Sequence, residues 1–202
     1  MITVGIDYSI GGPAICIHYG KEWDIDNCYF YFLTDIKKYQ KPHFDLRVFG
    51  ETTGDKENEW KCDVERYNFR ADWVIEQIQQ AFKIQEDVEW EDVNVAMEGY
   101  SMNSKGLISS IIENAATLKH RLYFEDKIPS IIPPATIKKF ATGKGNAQKH
   151  TMYAHFLDET GWDLHEVISP NKKVGTSPVA DLVDAYYVCK YKFEIRMNRG
   201  RR

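Results

Sequence analysis

The sequence predicts an α/β domain, a sheet of about five strands with helices laid against it, and three observations carry that expectation. Short runs rich in β-branched and aromatic residues recur at 2–9, 14–19, 29–33, 93–97 and 128–132, the composition of buried or half-buried strands. Longer stretches with apolar residues three and four apart stand between and after them, at 67–83, at 105–124 and from 177 to about 193, the spacing of helices that cover one face. A chain of 202 residues, 43% hydrophobic and 13% aromatic, suffices for one core, and no repeat or low-complexity linker divides it. Residues 1–202 are therefore read as a single domain.

The first run leads its apolar residues to one carboxylate, Asp7, as a buried strand does when it delivers a charge to the end of a sheet. Gly11, Gly12 and Pro13 follow, then Ala14-Ile15-Cys16-Ile17-His18-Tyr19, so the segment reads as a β-hairpin. On local grounds alone Asp7 reads more simply as the cap of a turn. Residues 29–33 form an aromatic strand, and 44–49 a further short one across a lysine-rich turn. Residues 51–66, with Gly54-Asp55-Lys56-Glu57-Asn58-Glu59 inside them, read as an exposed polar insertion. The helix over 67–83 sets Val74, Ile78 and Phe82 at four-residue spacing beside Ala71 and Ile75, a face for the sheet.

Strand 93–97 delivers a second carboxylate, Glu98, ahead of Gly99. Glycine there permits a tight backbone path and the approach of a ligand, while an ordinary turn acid is the plainer reading. Helix 105–124 carries one apolar stripe at Leu107, Ile111, Ala115, Leu118 and Leu122 and a second at Ile108, Ile112, Ala116 and Tyr123. That surface is wider than one sheet requires, so the helix is either wholly buried or also meets a second subunit. Pro133 and Pro134 stop the fifth strand.

A short helix holding Lys138 then runs into Gly143-Lys144-Gly145, and a new helix is expected from about Asn146. Free backbone N–H groups at its start, with Lys138, Lys139, Lys144 and Lys149, could hold a phosphate. A glycine turn between two helices would look the same. The Gly-x-x-x-x-Gly-Lys-Ser/Thr spacing of a nucleotide-hydrolysing loop is missing. The last helix is expected to open at Ser177-Pro178 as cap and first turn, and it sets Asp181 and Asp184 three residues apart on one side. Two acids near a helix start also suit its dipole. Taken together, Asp7, Glu98, Asp181 and Asp184 are four carboxylates framed by apolar residues on separated segments. Gathered in one place they would repel one another unless cations sat between them, and hard divalent ions fit that need.

The net charge of −4 argues against a nucleic-acid binder, but its distribution argues otherwise. Residues 1–100 carry 10 Lys+Arg against 20 Asp+Glu, and residues 101–202 carry 16 against 10, so one half could face a polyanion. The chain ends in a basic tail with Arg196, Arg199, Arg201 and Arg202. Cys16, Cys28, Cys62 and Cys189 form no Cys-x-x-Cys pair and are expected to be reduced and structural, which argues against zinc. No apolar run approaches the roughly 20 residues of a membrane span, and the start lacks a signal-peptide pattern, so no membrane contact and a cytoplasmic location are expected.

These motifs resemble the RuvC-type Holliday-junction resolvases of the ribonuclease-H-like nuclease superfamily, in a divergent branch of the kind phages carry. The resemblance rests on Gly5-Ile6-Asp7-Tyr8-Ser9, on Met97-Glu98-Gly99, on Lys138 followed by Gly143-Lys144-Gly145-Asn146-Ala147-Gln148-Lys149, and on Ala180-Asp181-Leu182-Val183-Asp184-Ala185. Their order and spacing agree with the family over most of the chain. The resemblance implies a ribonuclease-H-like fold, a mixed five-stranded sheet with strands one to three antiparallel, flanked by helices, with Asp7 on the central strand. It implies Asp7, Glu98, Asp181 and Asp184 as ligands of two Mg²⁺ or Mn²⁺ ions that serve in-line hydrolysis of a phosphodiester. Lys138 and Lys149 match basic residues near the scissile phosphate, and Lys149 joins the catalytic set. Paired nicks in a four-way DNA junction by a homodimer are the implied activity. The insertion at 51–66 and the basic tail depart from the family and bear on substrate preference. Three other readings stand beside this one. A nuclease of the same fold could act on other branched DNA or on RNA–DNA hybrids. A catalytically silent DNA-binding module is disfavoured by the intact carboxylates, and a sugar-kinase or actin-like ATPase by the length.

Overall fold

The computed structural model describes residues 1–45, 47–54, 60–85, 88–100 and 108–199. β1 (Ile2–Asp7) and β2 (Ala14–Tyr19) form the expected hairpin, with Ile2 opposite Tyr19 and Asp7 opposite Ala14. β3 (Cys28–Thr34) joins β2 antiparallel. On the other side of β1, β6 (Val93–Glu98) runs parallel to it and β7 (Ser130–Ile132) parallel to β6. This array, antiparallel over its first three strands and centred on β1, is the predicted one.

The sheet is nevertheless larger than predicted. β4 (Pro42–His43) and β5 (Val48–Thr52) extend it past β3, in the order β4-β5-β3-β2-β1-β6-β7. The strand expected at 44–49 is displaced because Phe44 and Asp45 take left-handed backbone, at φ 47° and 49°, and turn the chain. The Phe44 ring lies 4.2 Å from that of Trp162, centroid to centroid, which holds the turn. The polar insertion is correspondingly shorter than 51–66. Glu51 and Thr52 belong to β5, and α1 (Asp63–Lys83) starts ahead of the expected position 67. Trp73 Nε1 and Gln77 Nε2 of α1 donate to the Glu51 carboxylate at 3.1 and 3.5 Å, tying that strand to the helix. Residues 55–59 of the insertion lie outside the described residues.

Alternation along the strands sorts side chains between two faces. Ile2, Val4 and Ile6 of β1, with Val93, Val95 and Met97 of β6, pack against α1 and α2 (Ile108–Phe124), meeting Ala71, Val74, Ile78, Leu118 and Leu122. Positions 105–107 of the predicted second helix, Leu107 among them, lie outside the described residues. The opposite face is covered by α6 (Val179–Arg199), with α3 (Pro134–Thr142), α4 (Lys149–Thr160) and α5 (Leu164–Ile168) around it. α6 crosses β1 so closely that a Cβ on Gly5 would lie 2.2 Å from the Cys189 nitrogen and 2.4 Å from the Ala185 oxygen. Glycine is what the Gly-Ile-Asp motif supplies there, and the missing Cβ lets the helix backbone settle on the strand.

Helix boundaries on this face differ from expectation. α3 closes on the left-handed Gly143, φ 78°, and the chain turns once more, Ala147 N–H donating to the Lys144 carbonyl at 3.2 Å, so α4 begins at Lys149 and not near Asn146. α6 begins at Val179, with the Pro178 carbonyl accepting from the N–H groups of Asp181 and Leu182 at 3.1 and 3.0 Å. Ser177 is thus not its cap, and Pro178 precedes its first turn. The helix also runs past 193 to Arg199. Of the basic tail, Arg196 pairs with Asp92 at 3.0 Å, while Arg201, Arg202 and the Arg199 side chain lie outside the described residues. Cys16, Cys28 and Cys189 are buried, Cys62 is exposed, and all four are free. No described helix is long and apolar enough to cross a membrane.

Candidate metal centre

β1 and β6 are neighbouring parallel strands, Ile6 opposite Met97, and each ends on a carboxylate. Period two turns Asp7 and Glu98 to the α6 side of the sheet, the side away from Ile6 and Met97. The first turns of α6 bring Asp181 and Asp184 to the same place, both less than 10% exposed, at 8% and 6%. One carboxylate oxygen from each of Asp7, Glu98 and Asp184 lies within 4.8 Å of the other two. Asp181 stands beside this trio. Its Oδ1 accepts from Lys149 Nζ at 3.0 Å, and the same ammonium lies 3.7 Å from Asp184 Oδ2. Lys149 reaches both because it opens α4 alongside the start of α6.

Crowded, buried acids resist ionisation. Burial, then the charges of Asp181, Glu98 and Asp184, push the Asp7 carboxyl well above the ordinary carboxylate range, with Lys149 pulling against them. Glu98 is raised to about 8, by burial first and then by Asp184 and Asp181, despite Lys149 and Lys138. Asp184 is raised to about 6, again by burial, with Lys149 opposing and Asp181 adding. Burial would lower the Lys149 ammonium, but Asp181 and Asp184 outweigh it and hold the lysine charged. Two lysines, Lys149 and Lys138, act on these four acids, which leaves the group short of positive charge among the described residues. Anionic oxygen donors, buried and close together, are the donor set of a hard divalent ion, so the residues fit a metal site.

The carboxylates line a cleft of about 420 Å³. Lys138 and Lys149 are on its wall, with Tyr8 and Tyr100. Lys139 and Lys144 are exposed and are not among its lining residues. All four predicted carboxylates and two of the four predicted lysines therefore come together. The aromatic part of the wall escaped the sequence reading, although Tyr8 directly follows Asp7 and Tyr100 comes two residues after Glu98. Tyr100 is 38% exposed and has the Lys119 ammonium 5.7 Å from its ring centroid.

No family model and no curated protein matches the sequence. Solved structures do match. The Thermus thermophilus RuvC structure superposes with a TM-score of 0.50 at 14% identity, covering 98% of this chain and 97% of that one. T. thermophilus RuvC in complex with Holliday junction substrate superposes with a TM-score of 0.54 at 14% identity, over 98% and 96%. The chain has the RuvC-type, ribonuclease-H-like fold, with β4 and β5 enlarging the sheet beyond its predicted five strands.

Proposed function

We propose that this chain is a RuvC-type endonuclease that hydrolyses phosphodiester bonds in branched DNA, four-way junctions above all, by paired nicks. The observation that supports this most is the convergence of Asp7, Glu98 and Asp184, with Asp181 and Lys149 beside them, at one end of a RuvC-type sheet. The bound state of T. thermophilus RuvC, a Holliday junction complex, favours DNA over other polyanions. Asp7, Glu98, Asp181 and Asp184 would hold two Mg²⁺ or Mn²⁺ ions. When bound, such ions supply Lewis-acid stabilisation of the charge that develops on a phosphate under in-line attack. Lys149 fixes the Asp181 and Asp184 carboxylates and, with Lys138 on the same wall, offers positive charge to the scissile group. Lys139, exposed on α3, and Lys144, exposed on the turn after it, would meet the DNA backbone further out. Residues 1–202 would act as one nuclease unit in the cytoplasm, the host's if a phage carries it.

A homodimer would place two such centres on one junction. In its support, two residues of the second stripe of α2 are exposed among the described residues, Ile112 at 39% and Tyr123 at 65%. Ile112→Glu is expected to give a folded monomer, and sedimentation at micromolar concentration checks it. A monomeric wild-type protein would remove the dimer from the proposal.

The function is tested by a cleavage panel of four-way, three-way, flap and RNA–DNA hybrid substrates, in Mg²⁺ and in EDTA. Paired nicks confined to the four-way junction and dependent on metal are expected. Preferential cutting of the hybrid would move the chain to a ribonuclease-H activity, and junction binding without cutting would leave a DNA-binding module.

A further inference from the structure

A second cleft, of about 220 Å³, opens on the far side of Asp181. It shares Ser9 and Asp181 with the metal-centre cleft and is otherwise walled by the turn after β1, the end of β3 and the loop before α6, which contribute Gly12, Thr34, Lys172 and Ser177. Among the described residues its one cation is Lys172, which is held on several sides. The Lys172 carbonyl lies 2.6 Å from His165 Nε2, and its N–H donates to the Ser169 carbonyl at 3.0 Å. Its ammonium donates to the Ser177 carbonyl at 3.0 Å and sits 5.3 Å from the Tyr39 ring centroid. Among the described residues no carboxylate lies within 4.0 Å of that ammonium. It has three donors, and among the described residues one of them makes a hydrogen bond, to Ser177. No acid occurs between Glu166 and Asp181 in the sequence, whereas Lys172 and Lys173 do.

We infer that this second cleft seats a backbone phosphate flanking the scissile one, with Lys172 as its positioning residue. The inference rests on the nuclease reading of the metal centre. A strand crossing the carboxylates must leave the first cleft on some side, and the shared wall at Ser9 and Asp181 makes the second cleft its continuation. The ammonium is preorganised, so little side-chain freedom is lost when it takes a phosphate oxygen. Asp35 also lines this cleft, its carboxylate taking the Thr53 hydroxyl. That negative charge disfavours a free anion, so the subsite serves a strand already anchored at the metal centre.

The test is a chemical double-mutant cycle on full-length protein. Four-way junctions carrying one neutral methylphosphonate at each linkage around the cut are titrated in Ca²⁺ against wild type, Lys172→Ala, Lys172→Arg and the control Lys173→Ala. In wild type, one flanking methylphosphonate should weaken binding about 3- to 10-fold, and Lys172→Ala should weaken the unmodified junction as much, with the slope of log affinity against log salt falling by about 1. Together the two changes should cost no more than either alone. Lys172→Arg should restore the loss, and Lys173→Ala should leave the cycle intact. Additive losses, or an unchanged slope for Lys172→Ala in a variant that melts like wild type, would overturn the subsite while the nuclease reading stood. A misfolded Lys172→Ala leaves the decision to Lys172→Arg and the wild-type scan: no sensitive flanking linkage in wild type overturns it. Wild-type protein that neither binds nor cuts any DNA overturns both.

Discussion

β1 and β6 present opposite chemistries on their two faces. Toward α1 and α2 they offer Ile2, Val4, Ile6, Val93, Val95 and Met97, an apolar layer at most 4% exposed. Toward α6 they offer Gly5 and Ala96, small enough to admit a helix, and then the carboxylates Asp7 and Glu98. The first face gains free energy from every side chain it buries. The second spends part of that gain in holding buried acids near one another, which pushes Asp7 and Glu98 above the ordinary carboxylate range. Neighbouring positions on one strand therefore do opposite work, Ile6 supporting the fold and Asp7 loading it. If Asp7 serves the proposed nuclease, stability and function are separable here at a distance of one residue.

The largest expected effect comes from Asp7→Asn. It keeps the shape of the side chain and removes its charge, so Mg²⁺-dependent cleavage should fall by about 10²- to 10³-fold or more, as when one preorganised electrostatic group leaves an active site. Gel-shift affinity for a four-way junction in Ca²⁺ should persist, because the lysines that would carry it are untouched. The melting temperature in EDTA should stay level or rise. Near-normal cleavage would return Asp7 to a turn-capping role.

Ile6→Ala should show the reverse pattern. Ile6 is wholly buried among α1 and α2 side chains, and a cavity there costs about 2–5 kcal/mol. Urea unfolding should report that loss, while the cleavage rate of the folded fraction at low temperature stays close to wild type. A variant with wild-type stability and no cleavage would erase the distinction between the faces.

The smallest effect is a dependence on pH. Glu98 is raised in the folded protein from 4.5 to about 8, so its contribution to stability is fully present below about 4.5 and is lost as pH climbs toward 8. Asp184, raised to about 6, adds a loss in the lower part of that window. His18 works the other way. Burial lowers it to about 4, so its contribution grows with pH between 4 and 6.5. The comparison of wild type with Glu98→Gln cancels the His18 trend. In EDTA the melting temperature of the variant relative to wild type should rise between pH 4.5 and 8, by the equivalent of at least about 1 kcal/mol. Mg²⁺ should hold the wild-type carboxylates ionised and reduce that trend. A flat difference in EDTA would show that Glu98 is not crowded.

Much of the site was legible because its parts are local. A β-branched run ending in an acid describes both Asp7 and Glu98, and three-residue spacing puts Asp181 and Asp184 on one side of a helix. Gly143 and the prolines at 133 and 134 bounded their elements as expected. The less legible parts depend on partners far away in the chain. β5 is a strand because it pairs with β3, and its residues lack the continuous β-branched run that identified β1. Lys139 resembles Lys138 in sequence, yet the rotation of α3 turns only one of them into the cleft.

From the residues alone came the α/β class, the hairpin and four candidate acids, because strand and helix periodicities are set by backbone geometry within a few residues, whereas the order of the central strands came with the resemblance to the RuvC-type resolvases. The tertiary structure alone decided which acids meet. It joined Asp7, Glu98 and Asp184, set Asp181 on Lys149, and opened a second cleft on Lys172. Those arrangements follow from α6 crossing β1 over Gly5 and from α4 starting beside it, contacts between residues far apart in sequence that no local pattern encodes. Burial, which raises Asp7 and Glu98 out of the ordinary carboxylate range, likewise exists only once both faces of the sheet are covered.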